Sequence, residues 1–167
     1  MPDNVPGLES DCGGKNSLMK KIIILLVTLS CFCTAVQAAE GLITKTSNHG
    51  VKQTMDILEK IVREKGFNVA ARVNHAAAAA KAGNKLRPTE VLIFGNPKLG
   101  SLLMQSNQTI GIDLPLKVLV YEDENGVVTL AYNDPAWLAQ RHDITNRDKA
   151  FAKMAGALNG ITNAAVK

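Results

Sequence analysis

The chain has 167 residues, of which 46% are hydrophobic, 20% charged and 4% aromatic, with a formal net charge of +4. A chain of this length, even after removal of a leader, is long enough to build one core without staples. The basic residues are scattered without interleaved aromatics, which argues against a nucleic-acid surface, and a mildly basic surface favours anionic partners only weakly.

Residues 1–18 are polar and read as an extension upstream of a better start at Met19. Residues 19–38 have the order of a secretory signal peptide. Lys20 and Lys21 are basic, Ile22 to Phe32 is apolar, and the small residues Val36 and Ala38 precede a cut. The apolar run is shorter than the roughly 20 residues that cross a bilayer as a helix; an uncleaved anchor is the alternative. Cys12, Cys31 and Cys33 all precede the cut. Residues 39–167 are therefore expected to form a single thiol-free domain without a transmembrane span, periplasmic or secreted. Cysteine catalysis, disulfides and thiolate metal sites are excluded from it. Cleavage leaves the charge unchanged, because Lys15, Lys20 and Lys21 offset Asp3, Glu9 and Asp11.

Leu42 to Thr46 reads as a first strand. Ser47, Asn48 and Gly50 form a turn in which a polar side chain is expected to cap the next helix. Val51, Met55, Leu58, Ile61 and Val62 recur at helical spacing, Asp56–Lys60 and Glu59–Arg63 are pairs on its wet face, and Gly66 stops it. Phe67, Val69, Ala71 and Val73 alternate as the inward face of a strand. Asn74 caps a short helix through Ala76 to Ala80. Val91 to Phe94 is a continuously apolar central strand, with Leu92 and Phe94 in the core. Leu99 to Gln105 is helical. Leu116 to Tyr121 and Val127 to Tyr132 form a hairpin through Asn125-Gly126. A short helix holds Trp137 and Leu138, and a last helix from about Arg147 to Ala165 turns Phe151, Met154, Ala155, Leu158, Ile161 and Ala165 inward. This order predicts a two-layer α+β domain, with helices packed on one mixed, mostly antiparallel β-sheet.

His75 with its following alanines, Phe94-Gly95-Asn96-Pro97-Lys98-Leu99-Gly100, Asp113-Leu114-Pro115-Leu116-Lys117-Val118, the acidic Asn-Gly hairpin and Tyr132-Asn133-Asp134-Pro135 occur in an order that resembles the domain of unknown function 302. The resemblance runs from Gly41 to near Ala165. It implies a compact α+β fold, commonly a homodimer, and no particular activity.

Gly95-Asn96-Pro97-Lys98 is the leading site candidate. A strand delivers the chain to a helix start there, Asn96 caps, Pro97 suits the first helical position and Gly95 permits close approach. Free N–H groups and Lys98 would attract an anion; the plain alternative is a structural turn. His75 is placed at a helix start that disfavours its protonation, where a neutral imidazole binds a ligand, acts as a base or simply holds the turn. Asp113 and Asp134 stand near prolines as turn-formers, with Asp113 also a candidate neighbour of a cleft. His49 and His142 read as solvated surface, and three scattered histidines lack metal-ligand spacing. Met55, Met104 and Met154 read as core, and Gly156 with Gly160 as a close-contact face in the last helix, suited to a contact across a dimer.

The expected function is a binding domain for a small anionic or amphipathic ligand, with candidate residues His75, Gly95, Asn96, Lys98 and Asp113 and no cofactor or metal. The alternative is a dimerisation or docking module of the cell envelope. An enzyme using His75 stands third, and would need a histidine–acid pair opening into a cleft.

Overall fold

A computed structural model describes residues 41–167. The expectations for residues 1–38, the upstream extension, the signal peptide and its cut, lie outside the described residues. The elements are β1 (Leu42–Thr46), α1 (Val51–Glu64), β2 (Asn68–Asn74), α2 (His75–Lys81), β3 (Thr89–Gly95), α3 (Pro97–Met104), a 3-10 turn (Gln108–Ile112), β4 (Leu116–Glu122), β5 (Val128–Asn133), α4 (Pro135–Arg141) and α5 (Asp148–Ala165).

The strands form one sheet in the order β1-β5-β4-β3-β2. The two-layer α+β architecture is present, and every neighbouring pair is antiparallel. The sheet is thus not mixed. The early β1–α1–β2 unit does not place its strands side by side: they become the two opposite edges, each pairing antiparallel with a strand that arrives later. The Asn-Gly hairpin joins β4 to β5. Asp123 Oδ1 accepts from the N–H groups of Asn125 (2.8 Å) and Val127 (2.9 Å), and Gly126 supplies the left-handed residue at φ +77°. Asp123 is therefore spent on its own backbone.

One face of the sheet is covered. Leu92 and Phe94 of β3, Val118 and Val120 of β4, and Leu130 of β5 are fully buried there, against Met55, Leu58 and Val62 of α1 and Leu158 and Ile161 of α5. Period-2 and period-3.6 patterns meet at this layer, as the sequence predicts. The other face carries Val91, Ile93, Leu119 and Tyr121, which are only half-buried.

Local readings change in four places. In β2 a bulge between Val69 and Ala71 shifts the register. Val69 opposes Phe94 and stays on the helix side, whereas Ala71 opposes Ile93 on the open side. Val73 follows Ala71 outward and is 37% exposed. The extra residue turns Arg72, not Val73, toward the helices, since a one-residue slip exchanges faces. At α1 the cap position is Gly50 and no side chain caps the helix. Ser47 Oγ instead accepts from His49 N (3.2 Å) and bonds Thr54 Oγ1 (2.7 Å). Glu59 pairs with Arg63 as expected (2.6 Å), but Asp56 pairs with Lys52 (2.8 Å) rather than Lys60. Met104 is 36% exposed rather than core.

Candidate functional site

The chain leaves β3 at Gly95 and turns at once into α3. Asn96 is extended, at φ −120° and ψ 111°, so that its Oδ1 accepts the N–H of Lys98 at 3.0 Å. Pro97, which has no N–H to satisfy, takes the first helical position. Gly95 abuts the start of β4: a Cβ built on it would lie 3.3 Å from Cβ of Pro115. The glycine therefore serves close approach, and the segment is a capped strand-to-helix turn.

This turn borders a cleft of about 690 Å3, a size typical of small-molecule sites. Gly95 to Leu102 and Met104 form one wall, Leu114 to Leu116 a second, and Lys153, Met154, Ala157, Leu158 and Ile161 of α5 a third, with Phe67 and Phe94 at the base. Those two rings meet edge to face at 5.7 Å, an arrangement that favours opposed ring quadrupoles. The lining is mainly hydrocarbon. Its charged members are Lys98 and Lys153, both exposed, and it contains no Asp or Glu. Neither ammonium has a carboxylate within 4.0 Å among the described residues.

The expected site residues divide. Gly95, Asn96 and Lys98 line this cleft. His75 does not. It opens α2, is exposed, and its neighbours Ala76 and Ala77 border a different hollow of about 730 Å3. Asp113 does not line the cleft either: its carboxylate accepts from His142 Nε2 (2.6 Å) and lies 3.5 Å from Arg141 Nε. Asp134 is a helix cap, Oδ1 accepting from Ala136 N at 2.9 Å.

Two polar clusters escaped the sequence reading. His142 is 5% exposed and not solvated. Besides Asp113, its Nδ1 meets Thr109 Oγ1 at 2.8 Å, and its carbonyl accepts from Asn107 Nδ2 at 2.8 Å. The cluster ties the 3-10 turn to the end of α4. It supplies a histidine–acid pair, but none of Thr109, Asp113 and His142 lines the cleft. No local signal connects residues so far apart in the chain.

The second cluster is Arg72, turned inward by the bulge. Its Nε donates to Glu90 Oε2 (2.7 Å) and its Nη1 to Asp56 Oδ1 (2.6 Å), with Glu59 Oε2 at 3.4 Å. Burial opposes the Arg72 charge, but the bonds to Glu90 and Asp56 outweigh it and raise the guanidinium's pKa above its ordinary value. Asp56 is held below the usual carboxylate range by Lys52 and Arg72. Glu59 is held below it by Arg63, against its partial burial, with Arg72 assisting. Asp56 and Glu90 border the second hollow together with Glu122, and the first two are engaged by cations. The paired acids of α1 were the available signal; their partner was hidden by the break in alternation.

Comparison with known proteins agrees with this fold. The family model for the domain of unknown function DUF302 matches residues 43–161. Two proteins named fluoride-specific ion channel FluC 1, from Brucella suis biovar 1 (strain 1330) and Brucella abortus biovar 1 (strain 9-941), are each 46% identical over 123 residues. The match covers 73% of this chain and 48% and 46% of those two proteins, so the chain spans about half their length. A crystal structure of an uncharacterised conserved DUF302 protein from Bacillus stearothermophilus superposes with a TM-score of 0.61 at 22% identity, covering 77% of this chain and 97% of the other. That likeness is one of fold.

Proposed function

We propose that this chain, which belongs to the DUF302 family, is a periplasmic or secreted binding domain whose ligand is small, anionic or amphipathic, and seated in the cleft beside Gly95 to Lys98. The carrying observation is the composition of that cleft: a hydrocarbon lining, two lysines and no acid. Apolar walls supply affinity in proportion to area removed from water, and the lysines supply orientation and a preference for negative charge. The secretory order of residues 19–38 supports the location. His75 and Asp113 drop out of the proposed ligand shell by position. A hydrolytic reading loses support as well, because the His142–Asp113 pair is turned into packing rather than toward the cleft.

A second reading has its own support. The matched relatives carry this domain as about half of a longer chain named as an ion channel. No helix among the described residues is long and apolar enough to cross a membrane. In this reading the domain is an envelope interaction module that works beside a membrane partner. Native mass spectrometry of the chain recovered from its own host separates the two. A co-purified small molecule of stoichiometric mass supports the cleft reading. A recurrent protein partner with an empty cleft favours the module. Fluoride titration sharpens the result: a strongly hydrated ion gains nothing from hydrocarbon walls, so no methyl resonance of the cleft should move.

A further inference from the structure

We infer that the ligand is a single-chain amphiphile, with one anionic head at Lys98 and Lys153 and a hydrocarbon tail laid along the cleft; the inference rests on the binding reading above.

The polar inventory of the cleft limits what it can hold. Asn96 Oδ1 is occupied by the N–H of Lys98 (3.0 Å), and Ser101 Oγ donates to the carbonyl of Lys98 (3.3 Å). Among the described residues, the cleft's side-chain groups left without a partner are the two ammonium groups, the exposed Asn68 amide and the Nδ2 of Asn96. A sugar, nucleotide or peptide would bring several polar groups and leave most of them without partners, a cost of order one to several kcal/mol for each group. One charged head needs no more than the lysines offer. Leu99, Leu102, Met154 and Leu158 are flexible aliphatic walls, whereas the rings of Phe67 and Phe94 are engaged with each other. Such walls accommodate a flexible chain better than a flat ring system that needs faces to stack on. An inorganic anion would use the lysines and waste the rest of the cleft.

The test is calorimetric titration of the full chain with alkyl carboxylates of increasing length below their micelle concentrations, the matching alcohols, and inorganic phosphate. The expected result is saturable one-to-one binding of the carboxylates, tightening about fourfold per methylene until the cleft is full. Each carboxylate should bind at least fivefold more tightly than its alcohol. That advantage should shrink in Lys98→Ala and Lys153→Ala, and at high salt, with the per-methylene increment unchanged. Ala157→Phe, which narrows the α5 wall, should move the length limit to shorter chains. Equal affinity for alcohols and carboxylates overturns the anionic head and leaves the binding reading standing. Phosphate binding as tight as the long carboxylates overturns the tail. Adsorption of many molecules per chain without saturation overturns the inference and points to a surface. No binding by any of these probes overturns both the inference and the ligand-binding reading.

Discussion

The two ends of β3 carry cations in opposite circumstances. At the Glu90 end, Arg72 is surrounded by Asp56, Glu59 and Glu90 and has every charge answered from within the fold. At the Gly95 end, Lys98 and Lys153 face a hydrocarbon cleft without any acid. A buried or half-buried cation that the protein neutralises itself is architecture. Cations without an acidic partner among the described residues, beside a preformed apolar space, contribute little to stability and leave their charge available. The contrast, more than either end alone, supports the proposal that a ligand sits in the cleft at the Gly95 end.

Five substitutions probe this contrast, and the largest effect is expected in the core beneath the cleft. Phe94 is fully buried near the Gly95 end of β3 and lines the cleft. Phe94→Ala should destabilise by about 3–5 kcal/mol, the range for a buried aromatic, read from urea midpoints. An unchanged midpoint would mean that the floor of the cleft is wrongly placed.

Arg72→Met should cost about 1.5–3 kcal/mol, as expected for losing hydrogen bonds between charged groups. Its pH dependence is the sharper readout. Asp56 and Glu59 lie below their ordinary values of 3.8 and 4.5 in the folded state. Their contribution is therefore complete above those ordinary values. It is lost as pH falls through them toward the folded values, because the unfolded chain takes up protons first. The substitution should make that acid loss shallower without abolishing it, since Lys52 and Arg63 still hold the two carboxylates. An identical acid limb in both proteins would mean that Arg72 is not their partner.

Asn96→Ala removes the α3 cap and should cost about 0.5–2 kcal/mol whether or not a ligand is present, measured by thermal or urea denaturation. Smallest of all, Lys98→Ala and Lys153→Ala should each change stability by less than about 0.5 kcal/mol, as is usual for exposed positions without partners. A loss as large as that of Arg72→Met would erase the distinction between the two ends.

The fold was legible where one period holds over a whole element. Val51 to Val62 and Phe151 to Ala165 keep helical spacing, and Leu92 with Phe94 lies in a short apolar run between clear turn signals. The site turn was legible because Gly95, Asn96 and Pro97 each have a specific local task. What failed was non-local. The bulge in β2 follows from pairing with β3 and reverses the faces of Ala71, Arg72 and Val73, which strict alternation cannot anticipate. The burial of His142 depends on Asp113 and Thr109 arriving from a distant turn. The cleft's third wall comes from α5, whose residues were read only as core. The purely antiparallel sheet follows from β1 and β2 separating to opposite edges, a matter of topology rather than local sequence.

The central claim is that the cleft between α3 and α5 receives an amphipathic anion. Methyl-labelled NMR titration with dodecanoate tests it most directly. The account predicts saturable shifts at Leu99, Leu102, Leu114, Met154 and Leu158, with the methyls of Val51 at the second hollow unmoved. Shifts spread evenly over the open sheet face at Val91, Ile93 and Leu119, with the cleft methyls silent, would contradict it.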